Sequence, residues 1–259
     1  MTESYRGHFD SAEEAARYEQ GEYAGGSYSH LLWELEQAAL APLVTEFRHN
    51  HPHLAYLDFA SGTGRLASFL EERVDAATAI EISESMAAMA RRRLRRTQVL
   101  CQDITAPCAT VEGQYDLITA FRFFLNAEPA LRTAAMQALS SRLKDETSWL
   151  VFNNHGNLWS SKLVAWPFHR LRNLGKGWQP RGNYLRHAEV IRLLNDAGLR
   201  LVRRAGLGML GGSICQRLPY ETALRWERRC AANRLAERFG QDVIYVACRN
   251  ASWLAAKTR

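Results

Sequence analysis

With 259 residues, 47% of them apolar, the chain can bury the core of one decorated domain. No run of about 18 apolar residues is available to span a bilayer, and the polar, acidic opening segment 1–14 lacks the apolar stretch of a secretory signal. The net charge of +6 is local: residues 162–204 hold ten Lys or Arg against only Glu189 and Asp196, so the remainder is slightly acidic.

Residues 1–50 read as helices preceding the main fold. Ser11 with Glu14 three residues later forms a capping box that opens a short helix through about Tyr18. A turn with Tyr23, Gly25, Gly26 and Tyr28 follows. Ser29 is then expected to cap a longer helix carrying Leu32, Leu35, Ala39, Leu43 and Phe47 on one stripe.

From residue 51 onward the pattern alternates. Strands are expected at 54–59, 76–82, 97–101, 115–121, 148–153, 199–206 and 243–249. Helices are expected near 64–73, 84–96, 129–143, 187–197 and 220–239. Alternation at this spacing predicts an α/β fold with crossovers, a mostly parallel sheet and helices on both faces. Arg91, Arg92, Arg93, Arg95 and Arg96 end the second helix and read as a solvated face, with nucleic-acid contact as the competing reading. The five cysteines (Cys101, Cys108, Cys215, Cys230, Cys248) are scattered and include no CxxC pair. That argues against a disulfide framework or a metal site and for a reducing, cytoplasmic setting.

The most informative stretch is residues 57–66, LDFASGTGRL, where an apolar strand breaks into small residues and a helix follows. Such a unit lets a nucleotide-like ligand touch bare backbone. Two readings compete. Gly62-x-Gly64-x-x-Ala67, with Glu81 roughly 20 residues on, fits the loose fingerprint of nicotinamide enzymes. Asp58 speaks against that reading, because a carboxylate beside the loop repels a pyrophosphate but suits a ligand bearing an ammonium group.

On these residues the chain resembles the class I S-adenosylmethionine-dependent methyltransferases, whose first motif is acidic-x-Gly-x-Gly-x-Gly. Residues 58–64 match it with Ala60 in place of the first glycine, a substitution that requires a backbone conformation open to alanine. AIEISESMAAMARRR (79–93) resembles the second motif and CQDI (101–104) the third. The resemblance covers roughly residues 52–154 and implies a Rossmann-like seven-stranded sheet whose last strand, here 242–249, inserts antiparallel between the fifth and sixth. It implies S-adenosylmethionine as cofactor, with Asp58, Ala60, Ser61, Gly62 and Gly64 at the loop and Glu81 on the ribose hydroxyls. Met86 would lie by the adenine and Asp103 would face its amino group, with Ile82, Ile104, Phe121 and Tyr28 as further cofactor-binding residues. The helices of residues 1–50 would form a lid over the domain of residues 51–259.

Ligands of open α/β sheets sit beyond the carboxyl ends of the strands. Arg122 and Asn126 follow the fourth strand there, and Asn154 and His155 the fifth. His155 is the candidate base and Arg122 the candidate cation for an acidic acceptor. Asn126 is a third catalytic candidate, with helix capping as its competing role. An insert at 156–186 interleaves Trp159, Trp166, Phe168, Trp178 and Tyr184 with Lys162, Arg170, Arg172, Lys176 and Arg181. Such a cap suits an anionic ring-bearing or sugar-phosphate acceptor. The same composition fits single-stranded nucleic acid or a peripheral lipid surface. The fourth strand lacks the (Asp/Asn)-Pro-Pro-(Tyr/Phe) motif of base-amine methylation, and residues 1–50 are too short and acidic for an RNA-binding module. The expectation is therefore methyl transfer to a small or medium-sized, anionic acceptor, at oxygen. RNA methylation, a nicotinamide oxidoreductase and a catalytically silent scaffold are the alternatives.

Overall fold

The structure is a computed structural model that describes residues 23–106, 113–163, 166–167, 171 and 183–250. The expected capping box at Ser11, Tyr18 and most of the basic insert lie outside these residues.

Helix α1 (Tyr28–Asn50) is capped by Ser27, whose hydroxyl accepts from the His30 backbone N–H at 3.1 Å. The expected cap, Ser29, is already helical, whereas Ser27 has the extended backbone a cap requires. Seven strands follow in one sheet: β1 (Ala55–Phe59), β2 (Ala76–Glu81), β3 (Thr97–Cys101), β4 (Leu117–Ala120), β5 (Trp149–Asn154), β6 (Leu199–Leu207) and β7 (Asp242–Arg249). Their order is β3-β2-β1-β4-β5-β7-β6. The first five run parallel, and β7 lies antiparallel to both β5 and β6. This is the Rossmann-like arrangement the sequence implied.

Between the strands lie α2 (Arg65–Leu70, prolonged by a 3-10 turn at Glu71–Arg73), α3 (Glu84–Arg93), α4 (Pro129–Arg142), α5 (His187–Asp196), α6 (Gly212–Cys215), α7 (Tyr220–Ala231) and α8 (Ala236–Phe239). Alternate strand residues face opposite layers. Tyr56, Leu117, Val151 and Ile244 pack with Leu35 and Phe47 of α1, Leu70 of α2 and Leu224 of α7. Leu57, Ile118, Phe152 and Tyr245 pack with Met136 and Leu139 of α4 and Val190 and Leu194 of α5. Helix α1 is thus a layer of the core, and only its Trp33 and Glu36 reach the cleft described below.

Two expected helices end differently. The span 220–239 breaks between α7 and α8, and α8 drops so close to β6 that a Cβ at Gly206 would sit 1.6 Å from the Ala236 carbonyl oxygen. Within the arginine run Arg91, Arg92, Arg95 and Arg96 are exposed, as expected, and Arg93 alone of the five is half-buried. Buried Glu71 accepts from the backbone N–H groups of Arg95 and Arg96 and ends the helical course, while Arg93 Nη1 donates to the Thr63 carbonyl at 3.0 Å. No helix among the described residues is long and apolar enough to cross a membrane.

Candidate active site

A cleft of about 430 Å³ opens beyond the carboxyl ends of β1 to β5. The turn after β1 supplies Asp58, Ala60, Ser61 and Gly62. The end of β2 and the start of α3 supply Glu81, Ile82 and Met86, and the residues after β3 supply Asp103 and Ile104. Phe121, Arg122 and Asn126 follow β4, and His155 follows β5. These thirteen expected residues come together. Gly64 and Tyr28 do not line the cleft.

The β1 turn uses left-handed backbone at three alternate positions, Ala60 (φ 53°), Gly62 (φ 55°) and Gly64 (φ 76°). The expectation that position 60 is open to alanine is therefore corrected: Ala60 holds a conformation that costs a residue with a Cβ about 1–2 kcal/mol. A Cβ at Gly62 would meet nothing within 4 Å, so the glycine leaves bare backbone on the cleft side. At Gly64 a Cβ would approach Leu94 Cδ1 to 3.0 Å and Ala90 Cβ to 3.1 Å, so this glycine seats α2 against α3. Tyr28 opens α1 against Gly208 and Gly212, and its hydroxyl donates to Gln241 Oε1 at 3.5 Å.

Three carboxylates face the cleft from the first three strands. Asp58 shares a strand face with Tyr56 and points at α2, where Oδ2 accepts from Ala67 N–H at 3.1 Å. Its Oδ1 accepts from Thr119 Oγ1 at 2.7 Å, and Thr119 in turn pairs with the Tyr56 hydroxyl at 2.7 Å. Burial, reinforced by the charge of Glu81 and opposed by these hydrogen bonds, pushes the Asp58 carboxyl up to about 7. Glu81 accepts from three backbone N–H groups: Gly62 (2.8 Å) at Oε2, and Ile82 (2.9 Å) and Ser83 (3.0 Å) at Oε1. Burial raises its carboxyl despite them. The Ser83 hydroxyl caps α3 and so fixes Met86 at the cleft wall. Asp103 Oδ1 accepts from the backbone and hydroxyl of Thr105, closing the turn beyond β3.

The fourth and fifth strands end in a buried polar network. Arg122 is the second non-glycine residue with left-handed backbone (φ 60°). Side chains hold it there: its N–H donates to Asn153 Oδ1 at 2.6 Å, and its carbonyl accepts from Asn126 Nδ2 at 2.8 Å. Asn126 thus clamps this turn, and the α4 cap falls to Glu128. The Arg122 guanidinium is committed to Glu36 Oε1 at 3.0 Å, which corrects its expected role as an available cation for the acceptor. Asn153 Nδ2 also donates to Asp242 Oδ2 at 3.1 Å. Burial, followed by the neighbouring Glu36 carboxylate, pushes the Asp242 carboxyl far up, so Asp242 retains its proton. Asn154 is structural, holding Leu185 O and Gly156 N–H.

His155 sits beside this network with its Nδ1 buried and unpartnered, while its carbonyl accepts from Lys162 Nζ at 2.9 Å. Burial, then the positive charges of Arg122 and Lys162, hold its imidazole well below the usual range, so the ring is neutral. Trp33, Glu36, Arg65 and Gln102 also line the cleft and were not anticipated. Glu36 had a signal: it falls on the apolar stripe of α1, four residues after Leu32 and next to Leu35.

Residues 57–146 match the family model described as a methyltransferase domain. Residues 57–146 therefore carry a methyltransferase domain. Magnesium protoporphyrin IX methyltransferase from Synechocystis PCC 6803, with bound S-adenosylhomocysteine, is similar in structure at TM-score 0.62 and 17% identity, over 95% of this chain and 97% of that one. A S-adenosylmethionine-dependent methyltransferase from Clostridium acetobutylicum ATCC 824 gives 0.60 and 15%, over 92% and 98%. An amino pentose methyltransferase of calicheamicin biosynthesis from Micromonospora echinaspora gives 0.53 and 15%, over 83% and 91%. At these identities the likeness is one of fold. No curated protein matches the sequence.

A methyltransferase of this class uses S-adenosylmethionine, and the cleft fits that group. Gly62 leaves open backbone, and buried Ser61 Oγ and Arg65 Nη1 have no hydrogen-bond partner. The carboxylates Asp58 and Glu81 suit an ammonium and a diol. The nicotinamide reading is set aside, because a pyrophosphate would meet both carboxylates at the loop.

Proposed function

We propose that this methyltransferase transfers the methyl group of S-adenosylmethionine to an oxygen of a small or medium-sized, anionic acceptor. The observation that carries the reading is His155, neutral, with a buried unpartnered Nδ1 at the end of the cleft formed by β4 and β5. When bound, the cofactor supplies a methyl group already activated on a sulfonium. The protein therefore has to align, exclude water and manage one proton.

Glu81 would hold the ribose hydroxyls through the acceptor capacity left at Oε2, which takes one backbone bond where Oε1 takes two. Asp58 would face the ammonium. Ile82, Met86 and Ile104 would flank the adenine, with Asp103 toward its amino group. Phe121 and Asn126 would shape the path toward the acceptor. His155 Nδ1 would take the acceptor hydroxyl proton as the oxygen approaches the methyl. Lys162, whose Nζ donates to the His155 carbonyl, would favour an acceptor carrying negative charge nearby, whereas Arg122 is already paired with Glu36. The insert at 156–186 would cover the acceptor.

Labelled S-adenosylmethionine offered with metabolite pools rich in hydroxylated and carboxylic acids, and separately with total RNA, tests the reading. Label in small acids with shallow salt dependence is expected. Label confined to RNA, at a rate that collapses between low and moderate salt, would overturn it.

A further inference from the structure

Arg65, the first residue of α2, stands against the cleft between two aromatic rings. Its guanidinium carbon lies 3.1 Å from the centroid of Tyr23 and 5.3 Å from that of Trp33. Stacking of this kind orients the planar head and excludes water from its faces. No carboxylate among the described residues pairs with it, and Nη1 is buried without a hydrogen-bond partner. A buried guanidinium nitrogen is costly to leave without an acceptor. The other cleft arginine, Arg122, already has Glu36.

The charges around Arg65 narrow what that acceptor can be. Asp58, Glu81, Asp103 and Glu36 also line the cleft, so it repels a polyanion and tolerates one compact negative group placed beside Arg65. The cofactor carries one such group, the carboxylate of its methionyl end. Asp58 is the penultimate residue of the strand before the loop at 60–64 and Arg65 begins the helix after it, so an acid and a base flank the same turn. That is the arrangement an amino acid zwitterion requires.

We propose that Arg65 is the residue that binds the methionyl carboxylate of the cofactor, presented as a rigid fork by Tyr23 and Trp33. The assignment rests on the cofactor reading above and adds a discriminating function. A ligand with the same adenosyl and sulfonium groups but no carboxylate leaves Arg65 Nη1 without an acceptor, and is disfavoured on that account.

Decarboxylated S-adenosylmethionine differs from the cofactor at that group alone. Calorimetry with both ligands on the full chain should show the wild type preferring S-adenosylmethionine by about tenfold to a hundredfold, the range of a charge-assisted pair. In Arg65→Met the preference should fall to within about twofold, through loss of affinity for the carboxylated ligand and not for the other. Arg65→Lys should restore part of it. Arg65→Gln, which keeps a planar head without charge, reads the same ratio if Arg65→Met does not fold. An unchanged preference in both uncharged variants overturns the assignment, as does an equal loss for both ligands, which would mark a purely structural residue. If the wild type binds neither ligand, the cofactor reading itself fails and takes the assignment with it.

Discussion

Arg122 Nη2 donates to Glu36 Oε1 at 3.0 Å, and this contact ties the turn after β4 to the helix that precedes the sheet. Glu36 is 2% exposed and Arg122 17%, so the pair is largely shielded from water. Removing the cation leaves the Glu36 carboxylate buried beside Asn153 and Asp242 without a compensating charge. Arg122→Met should therefore cost about 3 kcal/mol in urea unfolding, at the lower end for a broken buried pair because Arg122 keeps some solvent contact. Adding Glu36→Gln should recover part of the loss. A cost below about 1 kcal/mol for Arg122→Met would show that Glu36 is compensated elsewhere.

Asp58 makes stability and cofactor affinity pH-dependent in opposite senses. Its carboxyl titrates near 7 in the folded state against an ordinary value of 3.8. Between those values the folded state binds the proton and the unfolded state has lost it, so stability falls as pH rises from about 4 to 7. The full swing is roughly 4 kcal/mol. An ammonium group placed beside Asp58 favours the carboxylate, so cofactor binding near pH 7 should release a fraction of a proton. Calorimetry in buffers of different ionisation enthalpy measures that release, and Asp58→Asn should abolish it together with the stability slope.

Glu81 is expected to matter twice. Glu81→Ala removes the acceptor for three backbone N–H groups as well as the proposed ribose contact. The variant should lose cofactor affinity and also melt earlier in the free state, by about 1–3 kcal/mol for each N–H group left buried and unsatisfied. A free protein as stable as wild type would mean that water takes over those donors when the carboxylate is gone.

Ala60→Gly should stabilise. The left-handed backbone at φ 53° is free of cost to glycine, so the change should recover about 1 kcal/mol, offset in part by the greater entropy of the unfolded chain. The midpoint of thermal unfolding should rise by no more than about 2–4 °C for a chain of this size. A lower midpoint would show that the methyl group of Ala60 packs usefully.

The pH profile of methyl transfer should carry no limb from His155 between pH 6 and 8. Its imidazole is held well below the usual range by burial and by Arg122 and Lys162, so it is already neutral there. The corresponding fall in kcat/KM belongs at more acidic pH. A limb centred near 6.5 that disappears in His155→Asn would contradict the burial of this ring.

The strand spans and the loop at 57–66 were legible because they depend on neighbours in the chain: apolar alternation, small residues and turn signals. The partners of Arg122 were not. Glu36 and Asp242 lie 86 residues before and 120 after it, and only the sheet order brings them together. The sequence does flag both as exceptions, an acid on the apolar stripe of α1 and an acid opening an otherwise apolar strand. Ala60 was misread for a different reason. Local sequence shows which residue occupies a turn, whereas its dihedral angle is set by how β1 and α2 are held by the layers around them. The left-handed turn at Arg122 was equally hidden, since it depends on Asn153 and Asn126 gripping both of its backbone polar groups.

The place of β7 between β5 and β6 bears on how the molecule is made. β6 joins the sheet only through β7, so a nascent chain that has delivered residues 1–241 holds five paired strands and one without a partner. Until residues 242–249 arrive, the open side of β5 offers its hydrogen-bonding groups to any extended segment nearby, including one from another nascent chain. Synthesis of the strand that carries Asp242 therefore ends this exposure and completes the polar network in one event. The interval between translating β6 and β7 is the period in which a chaperone holding that edge would protect the yield of folded protein.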